Sequence, residues 1–408
     1  MKVKSQLIVG LDIGTTKVCT IVGKNHPEGI EIIGFGVCPS RGIKKGVVVN
    51  IENTVDSIRK VIEEAETMSG CRIQSVFAGI AGTHIKGFNS QGVIAIKDGE
   101  VKKQDIRKAI EAAKTIAIPV DREIIHTLPQ EFVVDEQDGI EDPLGMSAMR
   151  LEARIYIITG ASNYTQNIIR CANKTGLTVE DIVFQPLASS YSALTEDEKE
   201  LGVALIDIGG GTTDIAIFYR GCIRFTSVIP IAGEHLTTDI AVGIHTSLSE
   251  AENIKKRYGC LIEEDEDLPS KIEVSNLGNE ITKEVSISVL KDIVNPRIEE
   301  LFSLIHAELR KSGFYKLLSA GIVFTGGTSL LKGIIKKAEQ FFRLPVRIGY
   351  PKESKDLPET VCSPMYATGV GLLYYARQIG LNGGLNGNNK GPFLTIGRKI
   401  KQWFEEAF

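Results

Sequence analysis

Two stretches of this chain repeat one pattern about half a chain apart. The first, LIVGLDIGTTKVCTIVG, covers residues 7–23, and the second, GVALIDIGGGTTDIAIFYRG, covers residues 202–221. In each, an apolar run rich in β-branched residues ends in Asp-x-Gly, passes through glycine and threonine, and continues as an alternating apolar run. This pattern predicts a strand, a tight turn and a second strand. Because a repeated unit constrains a fold before any single motif does, the duplication predicts two related lobes.

The turn of each repeat carries residues suited to phosphate and magnesium. Glycines let successive backbone N–H groups approach an anion, and threonine hydroxyls add donors. Asp12 and Asp207 end the first strand of each repeat, where a carboxylate can bind the water shell of a magnesium ion. Lys17 can pair with phosphate oxygens, and Asp214 adds a magnesium-side carboxylate. Two ordinary β-hairpins are the alternative, but the duplication favours a nucleotide cleft between the lobes.

Three further stretches fit such a cleft. AGIVFTGGTSLLKGI (320–334) predicts a buried strand, a Gly-Gly-Thr turn that offers a surface for adenosine, and a helix. FQPLASSYSAL (184–194) and SPMYATGVGLLYYA (363–376) predict helices whose small residues allow close packing where the lobes cross. An ordinary strand-to-helix turn and ordinary core helices are the alternatives. No G-x-x-x-x-G-K-[ST] and no strand-linked G-x-G-x-x-G occurs, which argues against P-loop and Rossmann folds.

Composition argues against several other classes. The formal net charge is −4, from 47 basic and 51 acidic side chains, so charge gives no reason to expect nucleic acid as a partner. Seven cysteines with no Cys-x-x-Cys pair and no secretory leader indicate reduced, cytosolic thiols, and six scattered histidines give no zinc pattern. No apolar run reaches the ~18 residues that would span a bilayer.

The five elements, in this order, resemble the actin/Hsp70/hexokinase ATPase superfamily. Over nearly the whole chain the resemblance is closer, to the FtsA family of bacterial actin homologues in cell division. Besides the repeats, it is carried by HTLPQEFVVDEQDGIEDPLGMSAMRLEARIYIITG (126–160) and AENIKKRYG (251–259). The resemblance implies an α/β, two-lobed actin-like ATPase fold with duplicated RNase-H-like cores. It also implies a relocated FtsA-type 1C subdomain and a C-terminal amphipathic helix.

The resemblance implies a division into subdomains. Between the first repeat and residue 185, strand-like NSQGVIAIKDG, helical KKQDIRKAIEAAKTIAI and alternation near 150–159 predict a compact α/β insertion. A later helix is predicted to start near VNPRIEELFSLI (294–305). The implied boundaries are 1–83, 166–195 and 368–380 for subdomain 1A, 84–165 for 1C, 196–237 and 300–367 for 2A, 238–299 for 2B, 381–392 for a flexible linker and 393–408 for a membrane-targeting amphipathic helix.

By motif match, the resemblance implies ATP and magnesium as cofactors. Asp12 and Asp207 would face the magnesium ion, through water, and Gln185 would position the attacking water. These three residues allow a slow ATPase, although they do not establish turnover as the purpose of the protein. The residues that would form the two phosphate loops with Asp12 are Gly14, Thr15, Thr16, Lys17, Gly209, Gly210, Gly211, Thr212, Thr213 and Asp214.

A second group of residues would approach the nucleoside. Gly233 and Glu234 lie in IAGEHL, and Glu252 and Lys255 lie in AENIK, three residues apart on one helix face. A surface ion pair is the alternative interpretation of Glu252 and Lys255. The turn of the third element completes this group with Gly326, Gly327 and Thr328.

The resemblance implies partners as well. In the family, subdomain 2B captures the C-terminal peptide of FtsZ, and Arg297 matches a basic contact of that site. The helix dipole does not favour an arginine near a helix start, which supports an external anion, while a solvated surface arginine is the alternative. Subdomain 1C serves contacts with other division proteins and with neighbouring protomers. The implied function is an ATP-binding, filament-forming adaptor that tethers FtsZ polymers, the Z ring, to the cytoplasmic membrane at the septum.

The C-terminal sequence predicts a membrane contact. Residues 380–392, GLNGGLNGNNKGP, are too rich in glycine and asparagine to pack and predict a flexible tether. Beyond them, apolar residues recur at helical spacing with basic residues at the edges, the pattern of a helix that lies on anionic lipids. A terminal helix docked on its own domain is the alternative. The membrane-facing residues are Phe393, Ile396, Lys399, Ile400, Lys401, Trp403 and Phe404.

Two other functions use the same fold. A sugar kinase needs a carboxylate base aimed at a sugar hydroxyl, and no residue with such a signature is identifiable. A chaperone of the Hsp70 type needs a long C-terminal peptide-binding domain, whereas only a short segment follows the last connector helix. The sequence therefore favours the adaptor.

Overall fold

The computed structural model describes residues 6–261, 268–276, 282–352 and 361–383. The predicted terminal helix, 393–408, lies outside these ranges, as does most of the predicted linker, 381–392. None of the helices within the described ranges is long and apolar enough to cross a membrane. Cys19 and Cys171 are buried thiols, whereas Cys38, Cys71 and Cys222 are partly exposed ones.

The first repeat opens the first lobe. Residues 6–80 form β1 (Gln6–Ile13), β2 (Lys17–His26), β3 (Gly29–Pro39), β4 (Ile43–Lys44), β5 (Val47–Val48), α1 (Ile51–Ser69) and β6 (Ser75–Ile80). β1 and β2 pair in antiparallel fashion around the turn, β3 continues the meander, and β6 runs parallel to β1. α1 begins where the Asn50 side chain accepts a hydrogen bond from the Asn53 N–H, and Gly70, in the left-handed conformation, ends it. The predicted strand, turn and strand are confirmed.

An insertion follows the first lobe's β6. Residues 86–161 form β7 (Lys86–Ala95), α2 (Lys103–Lys114), β8 (Arg122–Val134), β9 (Gln137–Ile140) and β10 (Arg150–Ala161). The four strands make a separate antiparallel sheet in the order β7-β10-β8-β9, which we call the inserted sheet. α2 buries an apolar face against this sheet, formed by Ile106, Ala109, Ile110 and Ala113. The insertion therefore has a hydrophobic core of its own.

The rest of the chain completes the first lobe and builds the second. In chain order the elements are α3 (Ser162–Lys174), β11 (Thr178–Phe184), α4 (Gln185–Ala193), α5 (Glu196–Leu201), β12 (Val203–Ile208), β13 (Thr213–Tyr219), β14 (Cys222–Ile229), α6 (Gly233–Gly243), α7 (Leu248–Tyr258), β15 (Lys271–Ser275), β16 (Thr282–Ser286), α8 (Ile287–Lys311), β17 (Ile322–Thr325), α9 (Ile334–Phe342), β18 (Val346–Ile348) and α10 (Ala367–Gly383).

The two main sheets have matching topologies. The first-lobe sheet has the order β11-β6-β1-β2-β3, and the second-lobe sheet has the order β14-β13-β12-β17-β18. In each, the two strands of the repeat and the strand that follows them form an antiparallel three-stranded meander, and two parallel strands continue from the first strand. Both repeats therefore occupy the same place in their sheets, and the duplicated cores that the sequence predicted are confirmed.

The helices α4 and α10 cross at very short range. A Cβ atom added at Gly371 would lie 1.9 Å from the carbonyl oxygen of Ala188, so the backbones touch where Gly371 has no side chain. These are the two helices whose small residues predicted close packing, and that prediction is confirmed. Gln185 at the start of α4 contacts Asp12 near the end of β1, and Ser189 of α4 and Thr368 of α10 contact Asp207 near the end of β12.

The start that the sequence predicted for α8 is wrong. α8 begins at Ile287, where the Ser286 side chain accepts a hydrogen bond from the Ser288 N–H, and Pro296 lies inside the helix. Proline is common in the first turn of a helix, which is why NPRIEE looked like a start. Arg297 therefore sits in the middle of a helix, and the argument from the helix dipole does not apply to it.

The inserted sheet contacts the second lobe through β7, β8 and β10. The pairing of β8 with β10 skips Ile125 and Gln130, which marks two bulges. The Nε2 of Gln130 donates to the carbonyl of Ile223 on β14 at 2.8 Å. The hydroxyl of Tyr156 on β10 accepts from the N–H of Thr226 on β14 at 2.8 Å. We call these two hydrogen bonds the polar seam. They join the insertion, which follows β6 of the first lobe, to β14 of the second lobe.

Candidate functional site at the two hairpin turns

The turns of the two repeats have the same local geometry. The N–H of Gly14 donates to the carbonyl of Lys17 at 2.9 Å, and the N–H of Gly209 donates to the carbonyl of Thr212 at 3.1 Å. The turns also meet across the lobes. A Cβ atom at Gly210 would lie 2.2 Å from Cγ2 of Thr16, so a side chain there would clash with the opposite turn. The structure therefore brings together the residues that the sequence assigned to two phosphate loops.

Asp12 is the centre of the first half of the site. Its Oδ2 accepts from Nζ of Lys17 at 2.8 Å, and its Oδ1 accepts from Nε2 of Gln185 at 3.1 Å. Burial is the largest single influence on the pKa of Lys17 and would lower it, but the charge and hydrogen-bond contributions of Asp12 and Cys19 together raise that pKa, so Lys17 carries a positive charge. Burial raises the pKa of the neighbouring Cys19 thiol to about 12, so this group stays protonated.

Asp207 and Asp214 form the second half of the site. They lie directly opposite each other on β12 and β13. Burial, with the charge of Asp12 added, raises the pKa of Asp207 to about 6. Burial, with the charge of Asp207 added, raises the pKa of Asp214 to about 7. Like charges held out of water in this way would be stabilised by a cation.

The two carboxylate oxygens of Asp214 differ in their hydrogen bonding. Its Oδ2 accepts from the hydroxyl of Thr212 at 2.9 Å, whereas its buried Oδ1 makes no hydrogen bond of normal geometry. The backbone N–H of Gly82 interacts with this carboxylate and opposes the rise of its pKa. In the described ranges, no group of three or more His, Cys, Asp or Glu side chains is arranged to hold a metal ion. The donor set fits magnesium, which keeps several of its waters and takes few ligands from the protein.

Two hydroxyls that sequence reasoning did not single out lie against Asp207. Ser189 on α4 and Thr368 on α10 each donate to its Oδ2 at 3.4 Å, and the two hydroxyls are 2.9 Å apart. Cys19, with its sulfur 3.8 Å from Oδ2 of Asp12, was missed as well. The sequence marked the two helices only by their small residues, and nothing in it pairs positions 189 and 368.

The third element closes one side of the second turn. The hydroxyl of Thr328 donates to the carbonyl of Gly209 at 2.8 Å. Gly326 has φ of +83°, and a Cβ atom there would lie 2.5 Å from Oδ1 of Asp207. A residue with a side chain would therefore be strained in its backbone and would collide with the carboxylate. Gly327 follows in a short 3-10 turn, Gly327–Leu330.

The residues predicted to approach the nucleoside gather at the same turn. Gly233 and Glu234 donate their backbone N–H groups to the carbonyls of Gly209 and Gly210, at 3.1 and 2.8 Å. Nζ of Lys255 donates to the carbonyl of Gly233 at 3.0 Å and pairs with Glu252 at 2.6 Å. The ion pair that was the alternative interpretation thus exists, but it lies against the turn instead of standing apart on the surface.

Arg297 is not part of this site. Its Nε and Nη2 donate to the two carboxylate oxygens of Asp239 on α6, at 2.6 and 2.9 Å, and Nη1 donates to Glu300. The side chain keeps 26% of its surface exposed. Arg297 is therefore an accessible residue that is held in place by two acidic neighbours.

Comparison with known sequences identifies the family. The family model described as Cell division protein FtsA matches residues 204–371, and the model described as SHS2 domain inserted in FTSA matches residues 82–159. Cell division protein FtsA of Pseudomonas aeruginosa is 49% identical over 99% of this chain and 98% of its own length. The chain belongs to the FtsA family. The FtsA of Escherichia coli K12 is 40% identical over 99% of this chain and 98% of its own length.

Solved structures agree on the fold of this FtsA relative. A chain of the PilM-PilN type IV pilus biogenesis complex superposes with a TM-score of 0.65 at 16% identity, covering 90% of this chain and 98% of that one. MreB5 of Spiroplasma citri bound to ADP superposes with a TM-score of 0.58 at 17% identity, covering 92% and 97%. The fold is the actin-like ATPase fold, and the inserted sheet falls in the range of the SHS2 match.

Proposed function

We propose that this protein binds Mg-ATP between its two lobes, assembles into filaments, and tethers FtsZ polymers to the cytoplasmic face of the membrane at the division septum. The observation that carries the proposal is the meeting of two equivalent turns with Asp12 and Asp207 on either side. Anions fit the backbone N–H groups of such turns, and a divalent cation fits the carboxylates behind them. Membership of the FtsA family supports the wider role in cell division.

Each residue of the site has a proposed task. Lys17 supplies a positive charge to the phosphates, while the N–H groups of Gly210 and Gly211 and the hydroxyls of Thr15 and Thr16 supply hydrogen bonds. Asp12, Asp207 and Asp214 would hold magnesium, mainly through water, and the ion would neutralise the phosphate charge. The buried Oδ1 of Asp214, which makes no hydrogen bond of normal geometry, and the raised pKa values of Asp207 and Asp214 support this assignment.

Gln185 is proposed to orient a water molecule for slow hydrolysis. Its amide nitrogen donates to Asp12, so its amide oxygen is the atom that can accept a hydrogen bond from water. An amide does not remove a proton from water, so its contribution is orientation, and the rate is expected to be low. ATP serves mainly as a ligand that stabilises one conformation of the lobes.

The proposed partners are FtsZ, a second copy of the chain and other division proteins. Arg297 is proposed to bind an acidic C-terminal peptide of FtsZ, and subdomain 1C, 84–165, to serve contacts with division proteins and neighbouring protomers. The proposed boundaries of the other subdomains are those implied by the family resemblance. The segment 393–408 is proposed to lie on anionic lipids with Phe393, Ile396, Trp403 and their neighbours in the interface.

The site assignment is tested by calorimetry on the full-length protein. Asp12→Ala and Asp207→Ala should each lower the affinity for Mg-ATP by about tenfold or more, because each removes a charged group that helps to hold the metal. Asp56→Ala, which removes an exposed carboxylate from α1, is the matched control and should bind as wild type does. Unchanged affinity in both site variants would show that the assignment is wrong.

The adaptor role is tested by pelleting on vesicles that contain anionic lipid. The protein should carry FtsZ into the pellet when Mg-ATP is present, and FtsZ alone should stay in the supernatant. If the protein binds ATP and vesicles but leaves FtsZ behind, the tethering part of the proposal fails while the nucleotide site stands.

A further inference from the structure

His126 connects the inserted sheet to the first lobe beside the candidate site. It lies on β8 and keeps only 7% of its surface exposed. Its Nε2 accepts a hydrogen bond of 2.9 Å from the N–H of Phe184. Phe184 ends β11, an edge strand of the first-lobe sheet, and the next residue, Gln185, begins α4. His126 therefore holds the backbone one residue away from the glutamine that contacts Asp12.

A bulge places His126 in this position. The pairing of β8 with β10 matches His126 with Ile158 and then skips Ile125. A bulge bends its strand and re-aims the side chains beside it. The bulge in β8 therefore directs the His126 imidazole out of the inserted sheet and toward β11, a strand of the first-lobe sheet.

The hydrogen bond fixes the state of the imidazole. Because the Phe184 N–H is a donor, Nε2 of His126 must keep its lone pair, so the ring is neutral and carries its proton on Nδ1. The ring also packs edge-on against Tyr375 of α10, with the centroids 5.9 Å apart, and the hydroxyl of Tyr375 donates to Asp181 on β11 at 3.1 Å. The imidazole is thus held from two sides.

The position of Gln185 depends on the junction that His126 holds. The Gln185 side chain runs over Gly79 of β6, where an added Cβ atom would lie 3.0 Å from its Cγ. It then reaches Asp12, 3.1 Å away. With such a close path, a small shift of the backbone at the junction of β11 and α4 would move the amide away from Asp12. Orientation of a reacting group is sensitive to displacements of this size.

We infer that His126 is a positioning residue, which acts on hydrolysis by fixing the backbone that carries Gln185. The inference rests on the proposed function, because it takes Gln185 as the residue that orients the attacking water. Through Gln185, the inference connects the inserted sheet to the hydrolysis of ATP.

The test uses four variants of the full-length protein: His126→Leu, His126→Gln, Gln185→Ala and the double variant His126→Leu with Gln185→Ala. Leucine resembles imidazole in size but has no acceptor, whereas the amide oxygen of glutamine can replace Nε2. Each variant is assayed for Mg-ATP affinity by calorimetry and for hydrolysis in a single turnover with protein in excess. Thermal denaturation checks that each variant is folded.

His126→Leu should hydrolyse Mg-ATP about tenfold more slowly than wild type, with an affinity within about twofold, because about one hydrogen bond's worth of orientation is lost. His126→Gln should recover most of the rate. In the Gln185→Ala background, His126→Leu should cause no further loss, since a residue that acts through Gln185 has nothing left to position.

The possible outcomes test the role of His126 separately from the role proposed for Gln185. If Gln185→Ala is slow while His126→Leu hydrolyses as wild type does, the inference is wrong and the nucleotide site stands. If both histidine variants are equally slow, or the two losses multiply in the double variant, His126 acts on the fold and not through Gln185. If wild type shows no hydrolysis, or Gln185→Ala has no effect, the role proposed for Gln185 fails and the inference with it.

Discussion

Asp214 lies opposite Asp207, buried, and one of its carboxylate oxygens makes no hydrogen bond of normal geometry. Its pKa is raised from its ordinary value of 3.8 to about 7. Ionisation therefore costs more in the folded state than in the unfolded chain. The contribution of Asp214 to the free energy of unfolding is therefore fully present below about pH 4, and it is lost as the pH rises through about 7.

Asp214→Asn should reveal this pH dependence. In the absence of magnesium and nucleotide, the variant should gain stability relative to wild type as the pH rises from about 4 to 8, by up to about 4 kcal/mol. Urea denaturation at several pH values measures the difference. A difference that stays constant over this range would show that Asp214 is not ionised at a cost in the folded protein.

Arg297 is engaged by Asp239 before any partner arrives. An acidic FtsZ peptide would have to compete with this carboxylate, so two changes should act in opposite directions. Arg297→Glu should weaken binding of the peptide about tenfold, and Asp239→Ala should strengthen it by releasing the guanidinium. Fluorescence anisotropy with a labelled peptide measures both affinities, and Mg-ATP affinity is the control. Equal peptide affinity in wild type and Arg297→Glu would remove Arg297 from the interface.

At the scale of elements, the crossing of α4 and α10 gives a prediction with a control on the same helix. Gly371→Ala would place a Cβ atom 1.9 Å from the carbonyl of Ala188, so the helices must separate. We expect a loss of about 2–4 kcal/mol in the free energy of unfolding. Gly380→Ala, where nothing lies within 4 Å, should be neutral or stabilising by up to about 1 kcal/mol, because alanine favours helix. Urea denaturation that ranks the two variants equally would contradict the contact.

The secondary-structure elements show which parts of the fold could be predicted from the sequence. The two hairpins, α4 and α10 follow from periodicity and turn residues, which are local signals. The long strand β8 was missed, because its bulges at Ile125 and Gln130 break the alternation that marks a strand. The hydroxyls of Ser189 and Thr368 were missed for a different reason. Their contact joins positions that are far apart in the chain, and only tertiary packing brings them to Asp207.

At the scale of the whole molecule, attachment to membranes is predicted to depend on the segment 393–408, which lies outside the described residues. Trp403→Glu places a charge in the apolar stripe and should release the protein from vesicles that contain anionic lipid, with Mg-ATP affinity unchanged. Gln402→Glu, which adds the same charge outside the residues assigned to the interface, is the matched control. Co-sedimentation measures binding, and undiminished pelleting of the protein that lacks 393–408 would rule out the anchor.

The polar seam has a mechanical consequence for the two lobes. The crossing helices join the lobes at one place, and the inserted sheet joins them at a second place, from Phe184 in the first lobe to Ile223 and Thr226 in the second. Because the inserted sheet is hydrogen-bonded to both lobes, it resists a rotation of the lobes that would change the distance between its two attachment points. Wide opening of the molecule must therefore break the hydrogen bonds at one end of the inserted sheet, or bend β8 at the bulge at Gln130.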